Sequence, residues 1–189
     1  MQKIIDFGLD VKGYVDLVSR EGVRGLAIPE EARECPFCPE SHRLENHGRY
    51  GRFIDEGEWV YKAWILRLLC VIEGKTVSLL PSFLAPKKQA TWKVIGTYFS
   101  KRHIEGLPQE AAMAAATKTN PSRQKGAYWD HCLEKNAARA LGYLRPQRTQ
   151  EGSLLPRLVH HLHQGFTTLG DALLVHNQRL HARFHVWLI

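Results

Sequence analysis

The sequence feature that most constrains this chain is a pair of cysteines, Cys35 and Cys38, separated by two residues. The other two cysteines are Cys70 and Cys132. In a chain without an export signal, such a pair is typical of a metal or redox site and not of a disulfide framework. We expect a metal site, because thioredoxin-like pairs lie at the start of a helix and Pro36 indicates a β-turn here.

The position of Cys70 is the one expected for the second ligand turn of a zinc ribbon, which holds one ion between two such turns. Two residues between ligands allow both thiolates to reach one tetrahedral zinc ion at about 2.3 Å. The fourth ligand position, three residues after Cys70, holds Glu73. The predicted zinc ligands are therefore Cys35, Cys38, Cys70 and Glu73. Two alternatives stay open: His42 or His47 in place of Glu73, or a metal-free site whose thiols are buried as small apolar groups.

Hydrophobic periodicity divides the chain into four segments. Residues 35–86 are rich in aromatic and β-branched residues with partial alternation, which predicts a small zinc-ribbon-like β subdomain. Residues 87–150 have apolar residues at helical spacing and predict a helix-turn-helix region. Residues 1–34 predict a helical lead-in, and residues 151–189 predict one long amphipathic helix. The predicted N-caps of helices in these segments and at the start of the helical region are Asp10, Thr91 and Ser153, and Gly22 is a predicted C-cap. The expected fold class is α+β.

Charge is unevenly distributed along the chain, whose formal net charge is +7. Residues 1–86 contain 11 Lys and Arg against 13 Asp and Glu, whereas residues 87–148 contain 12 against 4. The last 41 residues contain 3 Lys and Arg against 2 Asp and Glu. A basic block of this kind favours binding to a polyanion such as double-stranded DNA, with a merely solvated surface as the alternative.

A helical hairpin within the basic block resembles a helix-turn-helix. An Ala-rich helix with Pro108 in its first turn is followed by a loop and by a longer helix capped by Ser122. Residues near the start of such a second helix enter the major groove, where Arg suits guanine and Gln suits adenine. The predicted DNA-contacting residues are Lys118, Ser122, Arg123, Gln124, Lys125 and Tyr128. We expect Trp129 and Leu133 to face inward. A plain helical bundle is the alternative.

The apolar stripe of the last segment predicts an interaction surface. It consists of Leu155, Leu158, Leu162, Phe166, Leu169, Leu173 and His176. We expect this stripe either to pack on the helical region or to pair with a second copy in a homodimer. An adaptor that dimerises through this helix is therefore an alternative function, and a thiol or metal sensor is another.

Residues 35–86 resemble the zinc-ribbon and helix-turn-helix head of bacterial insertion-sequence transposases and related short bacterial proteins of unknown function. The order of motifs carries the resemblance: CPFC, HGRYGRF, a strand ending in Cys70, and KTVSLLPSFLAP. The resemblance is weaker over residues 87–145. It implies DNA recognition associated with a mobile element. The second ligand turn lacks one cysteine, and Pro39 stands where the family has glycine. We expect no acidic catalytic domain of the transposase kind.

Other classes of protein find little support in the sequence. There is no phosphate loop, dinucleotide fingerprint or nucleophile elbow, and the histidines have no carboxylate at zinc-protease spacing, so we predict no enzyme. No apolar run reaches the roughly 18–20 residues that cross a membrane. The first residues carry acids among apolar side chains and do not resemble a signal peptide. We expect a cytoplasmic protein without membrane partners.

Overall fold

The computed structural model describes residues 1–119, 121–144, 154–164 and 166–184, which form four strands and six α-helices. This confirms the predicted α+β class. The strands are β1 (Gln2–Ile5), β2 (Glu45–Asp55), β3 (Val60–Cys70) and β4 (Lys75–Pro81). The helices are α1 (Val11–Glu21), α2 (Trp92–Phe99), α3 (Gln109–Ala116), α4 (Arg123–Leu144), α5 (Leu154–His163) and α6 (Leu169–Phe184). None of the helices in these ranges has the length and apolar character needed to span a membrane.

The chain divides into two compact units with boundaries that differ from the four predicted segments. The first unit comprises Met1–Ile54 and Tyr61–Gln89. The second comprises Asp55–Val60, which we call the hairpin tip because it connects β2 to β3, together with the described residues from Ala90 onward. The short connection between two β-strands is thus part of the helical unit.

The first unit is built on a sheet with strand order β1-β4-β3-β2. Strand β1 pairs in parallel with β4, from Gln2 opposite Ser78 to Ile5 opposite Pro81. The predicted helical lead-in therefore begins with a strand, whose partner lies more than 70 residues away in the sequence. Helix α1 follows, with the Asp10 carboxylate accepting from the Gly13 N–H at 2.7 Å and Gly22 at positive φ after its end. These are the two predicted caps.

The core of the first unit lies between α1 and the sheet. Tyr14 is fully buried, and its hydroxyl donates to the Trp64 carbonyl oxygen at 2.9 Å. Buried aliphatic side chains of the two central strands surround it, among them Ile65, Leu68 and Leu79. Cys70 is also fully buried at the end of β3, so this end of the strand is anchored in the core.

The second unit is a group of helices in close contact. Helix α2 is capped by Thr91, as the sequence predicts, and continues into a π-helical turn, Ser100–Ile104. Gly96 of α2 approaches Gly170 of α6 so closely that a Cβ at position 96 would lie 2.3 Å from the Gly170 nitrogen. Gly126 has a similar role in α4, since a Cβ there would lie 3.0 Å from Met113 and Tyr98.

The C-terminal segment forms two helices, and the prediction of one long helix is corrected here. Helix α5 ends at His163 and α6 begins at Leu169. The reason is a capping pair that the hydrophobic pattern conceals: the Thr168 hydroxyl accepts from the Asp171 N–H at 3.2 Å and donates to its carboxylate at 2.7 Å. The predicted cap Ser153 lies outside the described residues.

The apolar stripe of this segment is mostly used within the second unit. Its buried members are Leu158, Leu162, Leu169, Leu173 and His176. Helix α6 packs on α2, and α5 packs on α4 and α6. These residues therefore adopt the first of the two expected arrangements, in which the stripe packs on the helical region. A homodimer stays a prediction.

Candidate metal centre and exposed helix face

A short antiparallel pairing brings the first cysteine pair to His42. The Cys35 N–H donates to the His42 carbonyl at 3.0 Å, and the Leu44 N–H donates to the Arg33 carbonyl at 2.7 Å. These bonds close a loop over residues 36–41, with Cys35 on one side and His42 on the other. The loop also carries Cys38, so three potential ligands leave the same turn.

Four side chains converge at this loop. Their ligand atoms, three sulfurs and one imidazole nitrogen, lie within 4.8 Å of one another, and the residues are Cys35, Cys38, His42 and Cys70. The Cys38 and Cys70 sulfurs are 3.5 Å apart, and the Cys70 sulfur is 3.4 Å from His42 Nε2. A tetrahedral zinc ion with zinc–sulfur bonds of about 2.3 Å separates two ligand sulfurs by about 3.8 Å. The spacing therefore fits one metal ion.

The histidine of the cluster is oriented by its second ring nitrogen. His42 Nδ1 lies 3.3 Å from the Glu40 carbonyl oxygen, to which an Nδ1–H group would donate. That tautomer leaves Nε2 unprotonated toward the three sulfurs. Histidines that bind metal commonly donate their other ring N–H to a carbonyl in this way, which fixes the tautomer and the plane of the ring.

Glu73 contributes to the cluster through its backbone and not through its carboxylate. Its N–H donates to the Cys70 sulfur at 3.3 Å, while its carboxylate pairs with Lys75 Nζ at 2.9 Å. The hydrogen bond and the charge of Lys75 lower the pKa of the Glu73 carboxyl. The structure thus brings together three of the four predicted ligands and puts His42, one of the two alternatives, in the fourth position. The other alternative, His47, is exposed on β2.

The two cysteines of the first turn, Cys35 and Cys38, have thiol pKa values that are shifted in opposite directions. Burial acts to raise the pKa of Cys35, but N–H groups of Phe37 and Cys38 donate to its sulfur and lower that pKa overall. Burial and hydrogen bonds to the neighbouring thiols raise the pKa of Cys38 to about 12. A metal ion that binds here must displace protons from these thiols, so its binding weakens as the pH falls.

The predicted DNA-contacting residues lie on the loop before α4 and on its first turns. Ser122 caps this helix, its hydroxyl accepting from the Lys125 N–H at 3.4 Å. Arg123 and Gln124 are exposed, Tyr128 is 53% exposed, and Trp129 is buried at 2%. Leu133 and Ala137 are fully buried on the same side as Trp129. The helix therefore turns its apolar side inward, as predicted, and leaves one polar face in solvent.

The hairpin tip neutralises lysines that the sequence assigns to the basic block. Lys125 Nζ lies 2.7 Å from the buried Asp55 carboxylate, and Lys118 Nζ lies 2.9 Å from Glu58. The hydroxyls of Thr117 and Thr119 also donate to Asp55, at 2.9 and 3.2 Å. These contacts fasten residues 117–119 and the first turn of α4 to the hairpin tip.

Net charge is therefore divided more evenly between the two units than between the first 86 residues and the rest of the sequence. The first unit contains 13 Lys and Arg against 10 Asp and Glu, and the second contains 13 against 9. The three acids of the hairpin tip, Asp55, Glu56 and Glu58, account for most of the difference from the linear count. Electrostatic attraction to DNA would therefore come from particular residues, above all from Arg123. No carboxylate in the described part of the chain lies within 4.0 Å of its guanidinium group.

Comparisons with protein-family models, with curated proteins and with solved structures found no match to this chain. The resemblance of residues 35–86 to transposase heads stays a prediction.

Proposed function

We propose that this chain is a DNA-binding protein whose first unit is stabilised by a structural zinc ion. The observation that carries the metal part is the convergence of Cys35, Cys38, His42 and Cys70 within 4.8 Å. Three thiolates and one imidazole are a common ligand set of structural zinc sites. Four protein ligands also complete a tetrahedron, which leaves no open position for a water molecule or a substrate.

The location of the cluster supports a structural role. Cys70 ends a central strand, whereas the other three ligands belong to the loop that starts after Arg33. One ion would therefore join two segments separated by more than 25 residues. Small structural zinc sites couple metal binding to folding in this way.

Elemental analysis of the purified chain tests the zinc proposal. We expect about one zinc per chain in the parent and in His47→Ala, and a large loss in His42→Ala. Glu73→Gln is a second control and should retain the ion, since its carboxylate pairs with Lys75. Metal content well below one per chain in the parent, together with a disulfide between Cys38 and Cys70, would contradict the proposal and favour a thiol sensor.

The DNA part of the proposal rests on the exposed face at the start of α4. Arg123, Gln124 and Tyr128 share this face, and the burial of Trp129 fixes which way it points. Arg and Gln can each make two hydrogen bonds to a purine in the major groove. The resemblance of residues 35–86 to transposase heads supports a role associated with a mobile element.

A mobility-shift assay at two salt concentrations tests this part. We expect Arg123→Ala and Gln124→Ala each to cost about 1–3 kcal/mol of binding and to relax the preference at one base pair. Lys135→Ala, on a later turn of α4, provides a control for the loss of one positive charge. If a variant with alanine at positions 123, 124 and 128 binds DNA as well as the parent, α4 does not contact the bases.

A further inference from the structure

An open cleft lies in the first unit, and none of the residues of the cysteine–histidine cluster is part of its lining. Its volume is about 540 Å³. One wall is the end of α1 and the turn after it, with Glu21 and Arg24, and the opposite wall is the stretch Asn46–Arg49 of β2. Arg33 completes the rim. A concave site of this size accommodates a small organic molecule.

Three of the residues that line this cleft are arginines, Arg24, Arg33 and Arg49. None of them lies within 4.0 Å of a carboxylate in the described ranges. Arg33 Nη1 instead donates to the Asn46 amide oxygen at 3.4 Å, and the Arg49 guanidinium lies 4.6 Å from the centre of the Trp64 ring. Glu21 is the one acid in the lining.

Neutral contacts hold two of these arginines without cancelling their charge. An amide oxygen and an aromatic face orient a guanidinium group but leave its positive charge uncompensated. Arg–carboxylate pairs on a protein surface, such as Arg43 with Glu30 at the neighbouring loop, show the usual way to compensate it. The cleft therefore concentrates uncompensated positive charge within a concave surface, which is the arrangement that attracts an anion.

The floor of the cleft is apolar. Val23 and Leu66 are nearly buried, Ile28 is half-buried, and all three line the cleft. A ligand that uses the whole cleft would present an anionic group to the arginines and an apolar or aromatic body to this floor. Guanidinium groups match phosphate oxygens in geometry and charge.

We propose that this cleft binds a small organic phosphate, with Arg24, Arg33 and Arg49 holding the phosphate and Val23, Ile28 and Leu66 contacting the body. His47 and Asn46 supply further hydrogen-bonding groups on the β2 wall. The residues that line the cleft include neither the four proposed zinc ligands nor the exposed residues of α4.

Isothermal titration calorimetry of the whole chain at low salt tests the proposal, with inorganic phosphate, adenosine monophosphate and adenosine as probes. Adenosine monophosphate should bind more tightly than inorganic phosphate, and adenosine should bind at least about tenfold more weakly than its monophosphate. The double variant Arg24→Gln/Arg33→Gln should lose about tenfold or more in affinity. Arg20→Gln removes the same charge from an exposed position on α1 outside the lining and should bind like the parent.

A charge-neutralising variant tests the role of the single acid. Glu21→Gln removes the negative charge from the lining and should tighten binding of the monophosphate a few-fold, while circular dichroism of every variant confirms the fold. Failure of both phosphate probes to bind at concentrations up to about 5 mM would overturn the proposal. So would equal binding of adenosine and its monophosphate. Binding of a 5′-phosphorylated oligonucleotide far more tightly than the monophosphate, with the same loss in the double variant, would overturn the assignment to a small ligand and assign the cleft to nucleic acid.

Discussion

Different kinds of contact stabilise each of the two units internally. In the first unit, soft ligand atoms from two distant segments meet at one point, and a short parallel strand pairing ties the N-terminus to β4. In the second unit, helices pack through apolar side chains and through glycines that permit close approach, such as Gly96 and Gly170. The first unit should therefore depend on single ligands, whereas the second should depend on how well its helices fit together.

Loss of a ligand should have the largest effect. Cys70→Ser removes a buried thiolate from the cluster, and we expect it to destabilise the first unit by more than about 4 kcal/mol if the metal is present. Hydrogen exchange measured by mass spectrometry should show faster exchange in residues 30–81, with the α-helices of the second unit much less affected. Cys132→Ser, outside the cluster, provides the matched control. Equal exchange in the two variants would remove the distinction between the units.

Loss of the central aromatic side chain of α4 should have the next largest effect, in the second unit. Trp129 is buried and lies edge-on to Tyr98, with ring centres 5.6 Å apart. Trp129→Ala should cost about 3–5 kcal/mol in the free energy of unfolding, measured with denaturant. Tyr128→Ala, one residue earlier and half-exposed, should change stability by no more than about 0.5 kcal/mol. A similar cost for both would mean that α4 does not have one buried side.

Crowding between α2 and α6 should produce a smaller loss. Gly96→Ala places a Cβ 2.3 Å from the Gly170 nitrogen, so the helices must separate, at a cost of about 1–3 kcal/mol. Gly142→Ala on α4 meets nothing within 4 Å and should instead stabilise the chain by up to about 1 kcal/mol. Thermal unfolding should show the two melting temperatures moving in opposite directions, and a shift in the same direction would contradict the close crossing.

Removal of an acid from the hairpin tip should have the smallest effect, which is a change in DNA affinity and in its salt dependence. Glu58→Gln releases the exposed Lys118, which should strengthen DNA binding a few-fold and steepen its salt dependence by about one ion. Glu31→Gln makes the same charge change in the first unit and serves as the control. If both changes act alike, only the net charge of the chain matters, and the ion pairs of the hairpin tip have no particular role.

Much of the fold could be predicted because its signals are local. Helix starts at Asp10, Thr91 and Ser122 follow from one side chain and the N–H group a few residues later. The burial of Trp129 follows from the spacing of its apolar neighbours. The missed helix start at Thr168 was equally local, but a continuous apolar stripe on both sides of it concealed the capping pair.

The features that could not be predicted depend on contacts between residues that are distant in the sequence. Nothing near Gln2 in the sequence indicates that it pairs with Ser78. The fourth metal ligand was expected at Glu73 by analogy with two equal turns, whereas the pairing of residues 33–35 with residues 42–44 brings His42 to the cluster. The acids of the hairpin tip lie at the end of a β-strand and just after it in the sequence. A count of charge along the sequence therefore could not show that they form ion pairs with lysines of the second unit.

X-ray absorption spectroscopy at the zinc edge counts the atoms bound to the metal and so tests the proposed ligand set. We expect about three sulfur ligands at about 2.3 Å and one nitrogen at about 2.0 Å in the parent. His42→Ala should lose the nitrogen, whereas Glu73→Gln should leave the spectrum unchanged. A first shell of oxygen ligands in the parent, or a spectrum that changes in Glu73→Gln and not in His42→Ala, would contradict the cluster of three cysteines and one histidine.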